Sequence, residues 1–590
     1  MKDKPNNDRQ VISQEALLAS LKKLATGGKV ESQCTLGEWH LKNQDYDSAK
    51  EWLSKAAESG NAKAQYLLGK MYLEGQAIES QDGKILASHI TAEKWLSKAA
   101  ESGNANAQYL LGTIYLNDAN KDLTKATNYF TAAAKSGNLD AQYKLAMMIL
   151  EKSDATAQDK SKAISSLEAL NQKEHAQSQY TIGSIYFDGR FGYAKSSIMA
   201  KKYLTKAAEN KHLDAQYMLG KAYLDGSVIA KDISAAKKLL SQAAENKHLD
   251  AQYLLGTVYL EGKDVEKDVD EAIEWLTIAS NKTHPGAQYL LGTLYLEGKD
   301  VEKDVEKAIL WLSAAAENNH PGAQYLLGTI YLEEQANDED HESVIVPLDA
   351  QDSDEEEDAG EEEDKANAPK NLDKAIQWLS AAAENNHPNA QYLFGKLQYD
   401  ACIKDLILVT VSGFSPAACI KALEMLTNAA ENNHSGAEYL LSQVHLEGKA
   451  VIQNLSKAQD WLLRAATHGN SDAQYLLGTI YLEGRYDISK SLPKAKEWLA
   501  KASENGHFNA SFSLGKILLE ENNCQEAIDY LSRSDNNADA MYLLGKTHYE
   551  GCNGKIDKAL GINLLAEAAK SNADAELMFI EIQLSGDSES

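Results

Sequence analysis

Ala287-Gln288-Tyr289-Leu290-Leu291-Gly292 decides the fold, because nearly the same six residues return along almost the whole chain. Taking the first residue of each copy as a mark, the copies begin at Ser32, Ala64, Ala107, Ala141, Ser178, Ala215, Ala251, Ala287, Ala323, Ala390, Ala437, Ala473, Ala510, Ala540 and Ala575. From Ala215 to Ala251, Ala287 and Ala323 the spacing is a constant 36 residues. A fixed period of this size marks an array of supersecondary units. One unit must therefore account for the fold, and specificity must come from what is not repeated.

Within the unit marked by Ala287, His284 to Leu296 places Leu290, Leu291, Leu294, Tyr295 and Leu296 close to helical spacing and stops at Gly298. This run is helix A. A polar loop, Lys299 to Val305, leads into Ala308-Ile309-Leu310-Trp311-Leu312 and Ala314-Ala315-Ala316, a second amphipathic run that ends at Asn318-Asn319-His320-Pro321. This is helix B, so each unit is a helical hairpin. Gly recurs five residues past the mark, from Gly37 through Gly292 to Gly545. In a helix interior it costs roughly 1 kcal/mol, so it is expected to admit a bulky neighbour, namely the aromatic three past the helix B Ala (Trp311 and its equivalents).

Leu291-Gly292-Thr293-Leu294-Tyr295 followed by Ala308 and Trp311 resembles the tetratricopeptide hairpin, whose period is 34. The longer period and the turn Ala315-Ala316-Glu317-Asn318-Asn319-His320 resemble the Sel-one-like repeat family more closely, from about residue 32 to 585. That resemblance implies an all-α, right-handed α-solenoid of about 14 hairpins with terminal capping helices. It also implies a protein-interaction scaffold or adaptor without catalysis of its own. Long, recently duplicated arrays of this kind resemble those of bacteria living in eukaryotic hosts, which makes an effector delivered into a host cell the first rival. The second rival is an enzyme like the cysteine-rich relatives that hydrolyse β-lactams. It would need periodic disulfides and a secretion signal, and neither is legible.

Net charge −28 and pI near 5.0 argue against nucleic acid, whose binding requires Lys and Arg to neutralise phosphates. No run of 18 apolar residues exists and the first residues are polar, so a cytoplasmic protein without membrane insertion is expected. The five cysteines, Cys34, Cys402, Cys419, Cys524 and Cys552, lack regular spacing and read as reduced thiols, most of them core fillers.

Along the chain, 1–31 is expected to be a polar tail and a capping helix (Ser13 to Leu24), with repeats over 32–333, one of them lengthened by a loop from Gly75 to Ile90. Nearest-neighbour packing makes such an array one elongated body. Residues 334–370 form an acidic insert. Between Glu333 and Lys365 stand seventeen Asp or Glu and one Lys, so this segment is expected to be mostly disordered. It holds one apolar run, Val344-Ile345-Val346-Pro347-Leu348, followed by Ser353 and further acids. That run resembles the short motifs that add a strand to ubiquitin-like modifiers of the SUMO type, and phosphorylation of Ser353 would strengthen its acidic half. Repeats resume over 371–585 with a second insert at 401–415, whose Asp405 to Gly413 is β-prone, and 586–590 is a polar tail. The two β-prone runs are expected to pair with each other, or one is held for an incoming strand.

Eight of the fourteen histidines sit three residues before a mark, among them His212, His284, His320, His387 and His434. Metal ligation requires ligand atoms about 2 Å from one ion, whereas equivalent positions in such an array lie about 10 Å apart. Asn replaces His in other units, which suits helix initiation. The recurring Tyr two past the mark is likewise read as scaffold. No nucleophile elbow, phosphate loop or His-Glu-x-x-His is present, so no catalytic, metal or cofactor site is assigned. The apolar positions of helix A leave a strip at −1, +6 and +10 relative to the mark. The candidate surface for a protein or peptide partner of basic character is Thr257, Glu261, Thr293, Glu297, Thr329 and Glu333, on the concave side. An acid at the end of a helix opposes the dipole by about 0.3–1 kcal/mol, so its recurrence calls for a partner, either a Lys of the following loop or helix B or an incoming chain.

Overall fold

The computed structural model describes residues 14–75, 84–117, 122–338, 368–408, 416–448, 450–534, 537–551 and 556–585. Among the described residues there are thirty helices and no strand. Helix Gln14–Thr26 comes first, fourteen A and B pairs follow from Val30–Lys42 and Tyr46–Glu58 to Ala538–Glu550 and Lys558–Ala568, and Ala573–Ser585 comes last. Packing runs almost wholly between consecutive helices. The chain is an α-solenoid array that divides into two compact bodies, Met1–Trp275 and Leu276–Ser590.

In the first body the opening helix seals the array as expected of a cap. Its Ala25, Leu18 and Leu21 pack on Leu36 and Trp52 of the first hairpin. In the second body the Ala287 unit shows how a hairpin forms. Helix A is Pro285–Glu297, started by His284, whose Nδ1 accepts from the Ala287 amide at 3.1 Å, with Pro285 where no amide is needed. Gly298 ends it in the left-handed conformation, φ 64°. Helix B, Val305–Glu317, is started by Asp304, which accepts from the Lys307 amide at 2.9 Å. Asn319 (φ 59°) turns the chain, and the His320 amide donates to Ala315 O at 3.0 Å while the Asn319 amide donates to Ala316 O at 2.9 Å. These two bonds make a Schellman closure. The same turn position holds Gly469 and Gly506 but also Lys211 and Lys247, all at positive φ.

The recurring Gly does mark the closest helix approach, but the aromatic is not what approaches. A Cβ on Gly292 would lie 2.6 Å from Leu312 Cγ, and Gly69, Gly220 and Gly478 meet Leu96, Leu240 and Leu499 in the same way. The contacting Leu follows the aromatic by one residue, a rotation of about 100° around helix B. The aromatic instead bridges units. Trp378 packs on the cluster formed by Leu312, Ala315 and Ala316 of one unit and Ala323, Leu327 and Ile330 of the next.

Four further expectations are corrected. Cys402 and Cys419 are joined as a disulfide with Cα atoms 5.7 Å apart, tying helix Pro388–Leu408 to helix Pro416–Glu431. Cys524 is also disulfide-bonded, and Cys34 is a buried free thiol. Asp405 to Leu408, expected as part of a β-prone insert at 401–415, continues helix Pro388–Leu408, because a helix already running supplies each new residue with a backbone partner and overrides local β-preference. Val409 to Gly413 and Val344 to Val346, the runs expected to pair, lie outside the described residues. Helix Pro321–Asp338 runs five residues past Glu333 and helix Ala368–Glu384 begins before Asn371, so both borders of the 334–370 insert are helical. Helix Lys84–Glu101 likewise absorbs the latter part of the loop expected from Gly75 to Ile90.

Candidate functional site

Neighbouring units meet through side chains that repeat as regularly as the backbone. Gln288, buried at one past the mark, donates Nε2–H to Ser280 O at 3.2 Å, closing the end of the preceding helix B. Its Oε1 accepts from Asn318 Nδ2 at 3.1 Å. Gln324 with Asn385 and Gln474 with Asn505 repeat the arrangement. Each Gln thereby satisfies a helix-end carbonyl that would otherwise be orphaned in the joint. The sequence signal was the recurrence of that Gln beside an apolar run in most units.

The joint at the Ala437 unit is built differently. Glu438 stands where most units have Gln, fully buried. Arg464 Nη2 donates to Ala430 O at 2.9 Å, taking the carbonyl that Gln would have closed, and Arg464 Nε lies 3.0 Å from Glu438 Oε1. His468 replaces Asn and places Nδ1 2.8 Å from Glu438 Oε2.

The repeated histidines start helices, as expected, and do more. Tyr289 stacks on His320 with ring centroids 4.4 Å apart, Tyr325 on His387 at 4.7 Å and Tyr392 on His434 at 4.4 Å, so the recurring Tyr joins unit to unit. Burial pushes the imidazole pKa of His212, His320, His387 and His434 below its ordinary value. Among the described residues no group of three His, Cys, Asp or Glu could hold a metal ion. A cleft of 180 Å³ lined by Leu41, Tyr46, Leu67, Lys70, Met71 and Glu74 is smaller than the roughly 300–1,000 Å³ of small-molecule sites.

Thr257 and Glu261 belong to the first body, and Thr293, Glu297, Thr329 and Glu333 to the second. Each threonine is half-buried and spends its hydroxyl hydrogen on its own helix, at Tyr253 O, Leu290 O and Leu326 O respectively. The threonines can accept from a partner but have no proton left to donate. The three glutamates are exposed. Glu297 reaches Lys299 of the following loop at 3.0 Å, and Asp188 and Glu483 use Arg190 and Arg485 in the same way. Glu74 and Glu550 pair with Lys70 and Lys546 one turn back. Among the described residues Glu261 and Glu333 have no ion-pair partner, so the row is part satisfied and part open. Val344, Ile345, Val346, Leu348 and Ser353 lie outside the described residues.

A joint that repeats this exactly spaced set of caps, stacks and amide bonds defines a helical-hairpin repeat solenoid. The Sel1 repeat model matches residues 30–61, 62–104, 105–138, 139–165, 176–212, 213–248, 249–284, 285–320, 361–387, 435–470, 471–507 and 538–572. The chain belongs to the Sel1 repeat family. The unmatched units marked by Ala390 and Ala510 keep its packing, with Gly395 against Leu426 and Gly515 against Leu531.

Among solved structures the chain is similar to c5321, a protective antigen of uropathogenic Escherichia coli displaying an SLR fold, at 24% identity and TM-score 0.51, over 86% of this chain and 98% of that one. A Sel1 repeat protein from Oxalobacter formigenes matches at 25% identity and TM-score 0.36, over 65% and 89%. The APC/C hetero-tetramer Cut9-Hcn1 matches at 14% and TM-score 0.28, over 96% and 92%. No curated protein matches the chain. Solenoids of Sel1 and tetratricopeptide type serve generally as protein-interaction scaffolds, and no helix among the described residues is long and apolar enough to cross a membrane.

Proposed function

We propose that this protein is a non-catalytic scaffold or adaptor that takes a basic protein or peptide segment along the exposed strip of its A helices, with the second body holding one such surface. Glu297 and Glu333 are exposed on successive units; Glu333 has no ion-pair partner among the described residues, and Glu297 meets only the exposed Lys299 of the following loop. Acids repeated on one face and engaged by the chain only at the exposed surface, where an ion pair contributes little, suit a surface kept for a cationic partner. Attraction of this kind is screened by salt.

The test uses a fluorescein-labelled peptide of four Lys-Thr-Gly triplets and the full chain. Anisotropy is expected to show binding that weakens steeply with sodium chloride and weakens again in Glu297→Gln/Glu333→Gln. Binding that ignores both salt and the double substitution contradicts the proposal.

A further inference from the structure

In most joints of the array the histidine that starts helix A uses both ring nitrogens. Nδ1 accepts the amide three residues on, and Nε2 reaches the residue just before the mark in the preceding unit. His175 meets Asp140 at 3.1 Å, His248 meets Asp214 at 3.2 Å, His507 meets Asp472 at 3.4 Å and His212 meets Gln177 at 2.8 Å. Three consecutive joints of the second body depart from this rule. The residues facing His320, His387 and His434 are Gly286, Gly322 and Asn389. Nδ1 still accepts the amides of Ala323, Ala390 and Ala437, at 3.2, 3.3 and 3.2 Å. A neutral imidazole whose Nδ1 is an acceptor carries its proton on Nε2. Among the described residues no acceptor meets any of these three Nε2–H groups.

The direction of these groups follows from the other joints. There Nε2 points at the −1 position of the preceding helix A, and −1 lies on the same exposed strip as +6 and +10. In these joints the −1 residue offers it no bond, because glycine has no side chain and Asn389 is exposed and makes no hydrogen bond with His434. Each imidazole is held by its Tyr stack and its cap bond, so the donors are fixed before anything binds. The adjoining turn residues, Asn319, Asn386 and Asn433, are uncharged. Further along the A helices of these units stand Glu297, Glu333 and Asp400, all exposed.

We infer that His320, His387 and His434 form a row of Nε2–H donors for the main-chain carbonyls of an extended basic peptide. Adjacent A helices lie about 10 Å apart, which is one turn of a chain extended as polyproline II, three residues at about 3.1 Å each. One carbonyl in every three then falls on an imidazole, and a Lys or Arg at the same interval can turn toward the acids. The chemistry selects a segment with cationic residues at a period of three and no fixed sequence between them. This inference deepens the proposed function and depends on it, with the histidines supplying main-chain recognition and the acids the charge preference.

His320→Ser/His387→Ser/His434→Ser is the informative variant, since Ser196 already starts a helix in the same chain and its short side chain cannot replace the donor, whereas Asn at this position still donates to −1, as Asn138 Nδ2 does to Asn106 Oδ1 at 3.0 Å. It keeps the cap and removes the Nε2–H. With the Lys-Thr-Gly peptide, affinity is expected to fall by about ten-fold or more, the effect of losing three hydrogen bonds, in protein that circular dichroism shows to be folded at the assay temperature. Asn389→Asp, which gives His434 an internal acceptor, is expected to weaken binding several-fold while leaving the fold intact. In full-length protein labelled with ¹⁵N-histidine, peptide should shift the Nε2 resonances of these three residues and leave that of His507 in place. Unchanged affinity in a folded triple variant, with loss in Glu297→Gln/Glu333→Gln, overturns the row alone. Absence of binding to the unmodified protein at millimolar peptide overturns both readings.

Discussion

The units marked by Ala287 and Ala437 are the same hairpin with different chemistry at the joint. In the first, Gln288 and Asn318 are neutral and each bond is between amides. In the second, Glu438, Arg464 and His468 occupy the matching region, and Ser442 sits where Gly292 does, its hydroxyl donating to Tyr439 O at 2.6 Å. A carboxylate cannot donate to the helix-end carbonyl, so Arg464 does it from the next unit and also balances the charge. The joint is therefore defined by which carbonyls and lone pairs must be met, and the residues that meet them can change together.

Removing Arg464 should break this second solution most severely. Arg464→Ala leaves a fully buried carboxylate without its cation and Ala430 O without its donor, and is expected to cost about 3 kcal/mol. Thermal or urea denaturation checks it. Adding Glu438→Gln to Arg464→Ala should recover most of the loss by restoring the amide solution, whereas a full loss in the double variant would show that the two joints are not alternatives.

Gly292→Leu tests the other difference between the units. It is expected to destabilise by about 1–3 kcal/mol through overpacking against Leu312, despite the better helix propensity of Leu. Ser442→Gly should change stability far less, since that unit already accommodates a Cβ at the position.

Both joints start a helix with a histidine whose pKa is depressed by burial, His320 after the first and His434 within the second. With the folded value below the unfolded value of about 6.5, the unfolded chain binds protons first as pH falls. The contribution is complete above the unfolded pKa and is lost as pH drops toward the folded one. A denaturation series should show stability flat above neutrality and declining below about pH 6.5, with a smaller decline in His320→Asn/His434→Asn. An increase of stability over that window would contradict the assignment.

The smallest effect is expected at the turns. Lys247 holds φ 69° where Gly469 holds 87°, and Lys247→Gly should stabilise by up to about 1 kcal/mol. Asn433→Gly, at φ 63°, should gain less because Asn tolerates that region better.

Period, hairpins, capping helices and the role of His284 were legible because each depends on residues close in sequence. What was not legible depends on rotation or on distance along the chain. Leu312 rather than Trp311 meets Gly292 because one residue turns the helix by about 100°. Cys402 and Cys419 are brought together across a break in the repeat that hid their spacing. The strip of Thr293, Glu297, Thr329 and Glu333 could be placed on one helix face from periodicity. The use of each Thr hydroxyl by its own backbone, and the three unmet Nε2–H groups, become visible only when each donor is followed to its acceptor.

The measurement closest to the central claim is zero-length carbodiimide cross-linking of the Lys-Thr-Gly peptide to the full chain, mapped by mass spectrometry. A lysine within ion-pair reach of a carboxylate is captured as an amide at that residue. The account predicts cross-links at Glu297, Glu333 and Asp400 that disappear at high salt. Cross-links confined to the acids of residues 339–367, with none on the A helices, would contradict it.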